Sequence, residues 1–167
     1  MRLTFNARAD RHMKPWNPSI RVQRESFDLA EESRMLTSGR TDVGAVVAFT
    51  GYCRDEAETL AALELEHFPG MAEEEISRIA QEASGRWPLL GLTVVHRVGR
   101  IIPGEPIVLV LAASQHRQAA FEAASFLMDY LKTRAPFWKK EHRADGSVGD
   151  WVEAKEKDDA AAGRWRR

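Results

Sequence analysis

The sequence predicts a single α+β domain. Strand-like and helix-like segments succeed one another irregularly rather than as repeating βαβ units, which fits helices packed on a sheet better than a doubly wound parallel sheet. A length of 167 residues, with 44% hydrophobic and 29% charged side chains, suffices for one good core and needs no second domain. The longest clean apolar run, Ile107 to Ala113, falls far short of the ~20 residues that a membrane helix requires, and no apolar leader core stands behind the N-terminal charges. A cytoplasmic protein without membrane contact is expected.

Residues 1–19 mix charges, Pro15, Pro18 and single aromatics without a period, and read as a poorly ordered arm. Ile20 to Gln23 reads as a short strand, Ser26 as the cap of a helix over Asp28 to Leu36, and SGRTD as a turn. Val43 to Thr50 (VGAVVAFT) is apolar and β-branched up to Gly51, the pattern of a buried strand whose exit loop, GYCRD, presents Arg54. Leu60 to His67 alternates from Ala62 onward, with Leu63 and Leu65 on one face and Glu64 and Glu66 on the other, as a half-buried strand does.

After the FPGM turn, Ile76, Ile79, Ala80, Ala83 and Trp87 recur at helical spacing, and Glu73 to Glu75 load the first turn, where the helix dipole favours acids. That helix should lie on the sheet and stop before Pro88. Leu92 to Val98 and Ile107 to Ala113 are two further strands joined by the turn-rich GRIIPGEP. Ser114 then caps the longest helix, whose Ala119, Ala120, Ala123, Ala124, Leu127, Met128 and Leu131 face the core until Pro136 breaks it. The tail from Lys155 is charged and alanine-rich, with the makings of a short surface helix. The chain thus divides into an arm (1–19), one domain (20–154) and a charged tail (155–167).

A formal net charge of -1 argues against a nucleic-acid binder held by a global positive field, so any anion must meet a local site. The lone Cys53 excludes an internal disulfide, and no CxxC or HxxxH spacing joins it to the histidines, so no metal is expected. Three local candidates remain. SQHRQAAFEA puts His116 and Arg117 at a helix start, where free N–H groups favour an anion; two cations there oppose the dipole, which hints at function, although exposed helix-start residues are the blander account. At the other end of the same helix, LKTRAPFWKKEH sets Lys132, Arg134, Lys139 and Lys140 around Phe137 and Trp138. That mixture reads equally as a reaction-pocket wall or as cations complementing a helix end, worth ~0.3–1 kcal/mol. Arg54, beside Gly51, has a guanidinium that can fork onto a phosphate, or is an ordinary surface arginine. Glu64 and Glu66 read as solvated rather than as an acid–base pair, and no GK[ST] or GxGxxG spacing supports a nucleotide phosphate loop.

Several segments together resemble the molybdopterin synthase large-subunit family: GAVVAFTGYCRD (44–55), LELEHFPGMAEEEI (63–76), VVHRVGRIIPGE (94–105), SQHRQAAFEA (114–123) and, most specifically, MDYLKTRAPFWKKE (128–141). The resemblance spans roughly Ile20 to Ala154. It implies an α/β hammerhead-type fold with a mixed or antiparallel sheet, a homodimer of large subunits, and a ubiquitin-like small subunit at each end, hence a heterotetramer. It further implies that the small subunit's Gly-Gly tail carries a thiocarboxylate that sulfurates cyclic pyranopterin monophosphate twice, with no separate cofactor. Carried over by motif, Lys132 is the central catalytic lysine and Lys139 a second, while Tyr52, Cys53, Arg54, His116, Arg117, Lys140 and Glu141 line the substrate pocket. Cys53 replaces a usual valine-like residue and is not assigned as a sulfur carrier, and Lys155 stands where arginine is common. Two other readings compete: an adaptor that only docks a ubiquitin-like partner, and a phosphate-ester hydrolase, for which metal ligands, an activated Ser or Cys and a carboxylate pair are all lacking.

Overall fold

The computed structural model describes residues 16–152 and 156–166, so residues 1–15 of the expected arm, the 154/155 boundary and Lys155 lie outside it. The elements run β1 (Ser19–Gln23), α1 (Leu29–Thr37), β2 (Ala45–Tyr52), β3 (Leu60–His67), α2 (Met71–Arg86), β4 (Leu89–Arg97), β5 (Gly99–Ile101), β6 (Pro106–Ser114), α3 (Arg117–Thr133), β7 (Phe137–Arg143) and α4 (Glu156–Gly163). The mixed α+β architecture is the expected one, but the strands split into two sheets. One runs β1-β4-β6-β2, with β1 parallel to β4 and the other pairs antiparallel; the second, β5-β3-β7, is antiparallel throughout.

The larger sheet is covered on both faces, which is why β4 and β6 read as unbroken apolar runs rather than alternating ones. On one face Leu92, Val94, Val110 and Ala112 pack against Ile76 and Ile79 of α2 and Ala123 and Leu127 of α3. On the other, Val95, Leu109 and Leu111 meet Phe27, Leu36 and Val46. A Cβ on Gly91 would stand 2.6 Å from Leu36 Cδ1, so the bare glycine lets α1 close onto β4. In the smaller sheet Leu63 and Leu65 of β3 join Cys53 and Ile101 in a separate cluster, the inward half of the expected alternation.

Local details depart from the sequence reading at the caps and the ends. Asp28, not Ser26, caps α1, its carboxylate accepting from Glu31 N–H at 2.8 Å. Ser114 ends β6 instead of capping α3: its hydroxyl donates to Pro88 O at 2.9 Å, and His116 takes the cap position without a side-chain hydrogen bond. Trp16, read as part of the loose arm, packs against the main core and donates from Nε1 to Leu89 O at 3.0 Å. The tail helix exists as α4, yet its end is no mere surface feature. Ala162 is buried, and the Trp165 ring lies 5.6 Å from both Trp87 and Phe126 while its Nε1 donates to Asp129 at 2.7 Å.

β5 and β7 are the elements that local pattern did not reveal. β5 has three residues and falls within the expected GRIIPGEP connection; β7 interleaves aromatic and charged side chains on both faces, so no period of two stands out. Its pairing with β3 (Leu65 opposite Lys139, Leu63 opposite Glu141, Glu64 opposite Lys140) is what brings the post-Pro136 segment back across the molecule.

Candidate functional site

The end of β2, the last turn of α3 and the near face of β7 enclose two adjoining cavities, of about 510 Å³ and 960 Å³. Phe49, Tyr52, Arg54, Ile107, Lys132 and Lys139 border both. The smaller arm is otherwise apolar, with Leu65, Val108, Leu131, Ala135 and Phe137, and carries one further polar side chain, His96. The larger adds Asp55, Glu56, Glu141 and Arg143, a charged lining. One continuous groove therefore has a greasy arm and a charged arm, with Arg54, Lys132 and Lys139 at the junction.

Each of these side chains is placed by a local cause. Residue 53 is clamped to the neighbouring turn on both sides, Cys53 N–H donating to Glu105 O and Gly104 N–H to Cys53 O, each at 2.8 Å. The strand parity that this sets buries the Cys53 side chain and turns Tyr52 and Arg54 outward; Tyr52 is 59% exposed. Burial raises the Cys53 thiol above its ordinary value and its Sγ sits 3.8 Å from Ile101 O, so it is a poor nucleophile and borders only the base of the larger cavity. Arg54 reaches solvent and pairs with Glu56. Lys132 stands on the last turn of α3, and the break at Pro136 lets the chain reverse so that Lys139 faces it across the groove. Among the described residues neither lysine has a carboxylate partner.

His96 is the residue that sequence reasoning passed over. It sits opposite Val108 in the β4–β6 ladder, with its ring stacked on Phe137 at 3.8 Å between centroids and 11° between planes. Burial, opposed by a hydrogen bond to Arg97 and reinforced by nearby His67, pushes its pKa down to about 4. The imidazole is therefore neutral at pH 7. A titratable residue inside an apolar strand, in VVHRVG, was the available signal.

Three expected pocket residues are not brought into the groove by this chain. Lys140 lies on the opposite face of β7, because strand neighbours alternate; its Nζ is 3.6 Å from Glu64 Oε2 and 4.3 Å above the Trp151 ring. Glu64, read as solvated, is held below the usual carboxylate range chiefly by a 2.6 Å hydrogen bond with His142 and then by Lys140. His116 and Arg117 are exposed at the far start of α3, about 24 Å along the helix axis from Lys132 at 1.5 Å per residue. Tyr52, Cys53, Arg54, Lys132, Lys139 and Glu141 do converge.

Chemically, the junction can hold an oxyanion or phosphate among Arg54, Lys132 and Lys139 and offers two lysines for proton transfer. Among the described residues no three His, Cys, Asp or Glu side chains gather as a metal set, and no helix is long and apolar enough to cross a membrane.

Residues 22–134 match the family model described as MoaE protein. A molybdopterin synthase catalytic subunit from Mesorhizobium japonicum is 71% identical over 149 residues, covering 89% of this chain and 94% of the relative. The solved molybdopterin biosynthesis MoaE protein from Burkholderia ambifaria is 47% identical, with a TM-score of 0.78 over 89% of this chain and 97% of that one. A Helicobacter pylori structure, described as the protein–protein complex of subunits 1 and 2 of molybdopterin-converting factor, has the same fold at 18% identity, with a TM-score of 0.67 over 83% and 91% of the two chains.

Proposed function

The chain belongs to the MoaE family and acts as a sulfurtransferase of molybdenum cofactor biosynthesis, the catalytic subunit of molybdopterin synthase, and on that premise we propose how its groove divides the work. The apolar arm takes the Gly-Gly tail of a small ubiquitin-like carrier, which supplies sulfur as a C-terminal thiocarboxylate. The charged arm takes cyclic pyranopterin monophosphate, whose phosphate and ring need the polar partners that the apolar arm lacks. The observation that carries this reading is that Lys132 and Lys139 border both arms, where the thiocarboxylate of one ligand would meet the reacting carbons of the other. Lys132 is the central catalytic group and Lys139 the second, both stabilising oxyanion charge as sulfur is transferred. Arg54 and Arg143 hold the phosphate, and no resident cofactor is invoked.

A small-subunit partner is supported by the Helicobacter complex of two subunits. The finer assembly rests on α3: if His116 and Arg117 serve the site, the helix start of one subunit must meet the helix end of another, so we place each site across a homodimer, with a carrier at each end completing a heterotetramer. Lys140 could contribute only from such a neighbour, since its own groove lies behind it. We place the reaction in the cytoplasm.

The test is to mix the protein with thiocarboxylated carrier and pterin precursor and follow the product by mass spectrometry. Two added sulfurs per pterin are expected, lost when the carrier's Gly-Gly is removed. A docking-only adaptor would give none, and a carrier without its tail that still sulfurated the pterin would refute tail insertion.

A further inference from the structure

His96 sits in the apolar arm without a role in the reaction as derived so far. We propose that it is a positioning residue for the sulfur donor: its Nε2 accepts a hydrogen bond from a backbone N–H of the carrier's glycine tail. The proposal rests on the reading that the tail occupies the apolar arm.

The geometry leaves His96 one free function. Its Nδ1 is 2.8 Å from Arg97 O, and a carbonyl oxygen only accepts, so Nδ1 carries the proton. The flat stack on Phe137 fixes the plane of the ring. Nδ1 is turned back onto the residue's own strand, so Nε2, across the ring, is directed away from that strand, and the ring itself lines the groove. In a neutral ring that nitrogen is a bare acceptor, and no hydrogen bond of the described residues occupies it. The surroundings keep it so: desolvation disfavours the imidazolium, and His67, stacked at 6.1 Å on the same Phe137 ring and 3.6 Å from Glu73, adds to the effect.

The choice of ligand follows from what else the arm offers. Leu65, Val108, Leu131, Ala135 and Phe137 bring no side-chain hydrogen-bonding group. A pterin carries several ring donors and acceptors and would strand most of them there. A glycine tail presents one N–H per residue and no side chain to exclude, and an N–H drawn out of water into this arm needs an acceptor that Nε2 supplies. The same bond would register the tail along the arm, setting how far the thiocarboxylate reaches toward Lys132.

Steady-state kinetics of the whole protein, with carrier and precursor varied separately, test this. His96→Phe keeps the stacking volume and removes the acceptor; His96→Gln restores an acceptor near the Nε2 position. The expected result is a roughly tenfold rise in KM for thiocarboxylated carrier in His96→Phe, the scale of one neutral hydrogen bond, with KM for the precursor little changed and recovery in His96→Gln. Independently of any mutation, carriers in which each tail glycine in turn is N-methylated should show one position that loses about tenfold with the unmutated protein and nothing further with His96→Phe. An unchanged carrier KM in His96→Phe overturns the proposal, as does a rise confined to the precursor KM, or an N-methyl penalty that persists in full without the imidazole. Removal of both glycines is the control for the underlying reading: if that truncated carrier is as active as the intact one, tail insertion itself fails, and His96 with it.

Discussion

At its C-terminal end α3 sets Lys132 beside carbonyls whose partial negative charge favours a cation; at its N-terminal end it sets Arg117, next to His116, where the same dipole disfavours one. The first placement is worth ~0.3–1 kcal/mol to the helix and so has a structural explanation without any function. Its significance comes instead from the groove, which sequence spacing could not display. The second has no local compensation: both residues are exposed, and His116 makes no capping bond. Helix electrostatics therefore account for Lys132 but not for Arg117, and an electrostatic misfit is a better place to look for function than an electrostatic fit.

The largest effect should come from the C-terminal end. Lys132→Ala removes a cation from the junction of the two arms, and product formation measured by mass spectrometry should fall ~10²–10³-fold, the usual cost of losing one preorganised charge-stabilising group. Its thermal midpoint should barely move, since only the weak dipole contribution is lost. Near-normal turnover would remove Lys132 from the reaction and leave the helix dipole as the whole account of that end. Lys139→Ala should impair the reaction as well.

The N-terminal end is tested by complementation. A His116→Ala, Arg117→Ala subunit and a Lys132→Ala subunit should each be nearly inactive, while verified mixed dimers recover about half the wild-type activity, because one of two symmetry-related sites regains every group. Mixed dimers as inactive as their parents would break the link between the two ends.

A smaller effect concerns His96 in the apolar arm, whose pKa burial pushes down from 6.5 to about 4. Between those values the unfolded chain binds a proton that the folded one does not, so stability present above pH 6.5 is lost as pH falls toward 4. The loss is of the order of 3 kcal/mol at most, from 1.36 kcal/mol per pKa unit. Denaturant melts across this range should show the dependence of His96→Phe on pH flattened relative to wild type. Equal slopes in the two would mean that His96 is not held neutral by the fold.

The smallest effect belongs to Lys140, which faces away from the groove. Lys140→Ala should cost ~0–1 kcal/mol of stability through its part-exposed contact with Glu64. If its activity in the assembled enzyme also falls, Lys140 reaches a site from a neighbouring subunit; if not, it is a structural residue.

Much of the fold was legible because it is written locally. Leu63 and Leu65 against Glu64 and Glu66 disclosed β3, the helical spacing from Ile76 to Ala83 disclosed α2, and Pro136 marked the end of α3. Arg54, Lys132 and Lys139 were also visible as candidates, through motif and charge. His96 was not, since a histidine within an apolar strand looks like a core residue until its groove is seen. That Lys140 faces away from its own chain's groove was not legible, because adjacent strand residues take opposite faces and β7 did not declare itself a strand.

By itself, then, the sequence determined the α+β class, the principal helices and strands, the lack of any span long enough for a membrane helix, and a set of basic residues suited to an anionic substrate. Those follow from propensity, periodicity and charge, which act over a few residues. Only the tertiary structure decided that the strands part into two sheets, that β7 returns beside β3 to set Lys139 opposite Lys132, that Trp165 closes the core, and that His96 looks into an apolar arm. Each of these depends on pairing between segments distant in the chain, and the energy of such a pairing resides in neither segment alone.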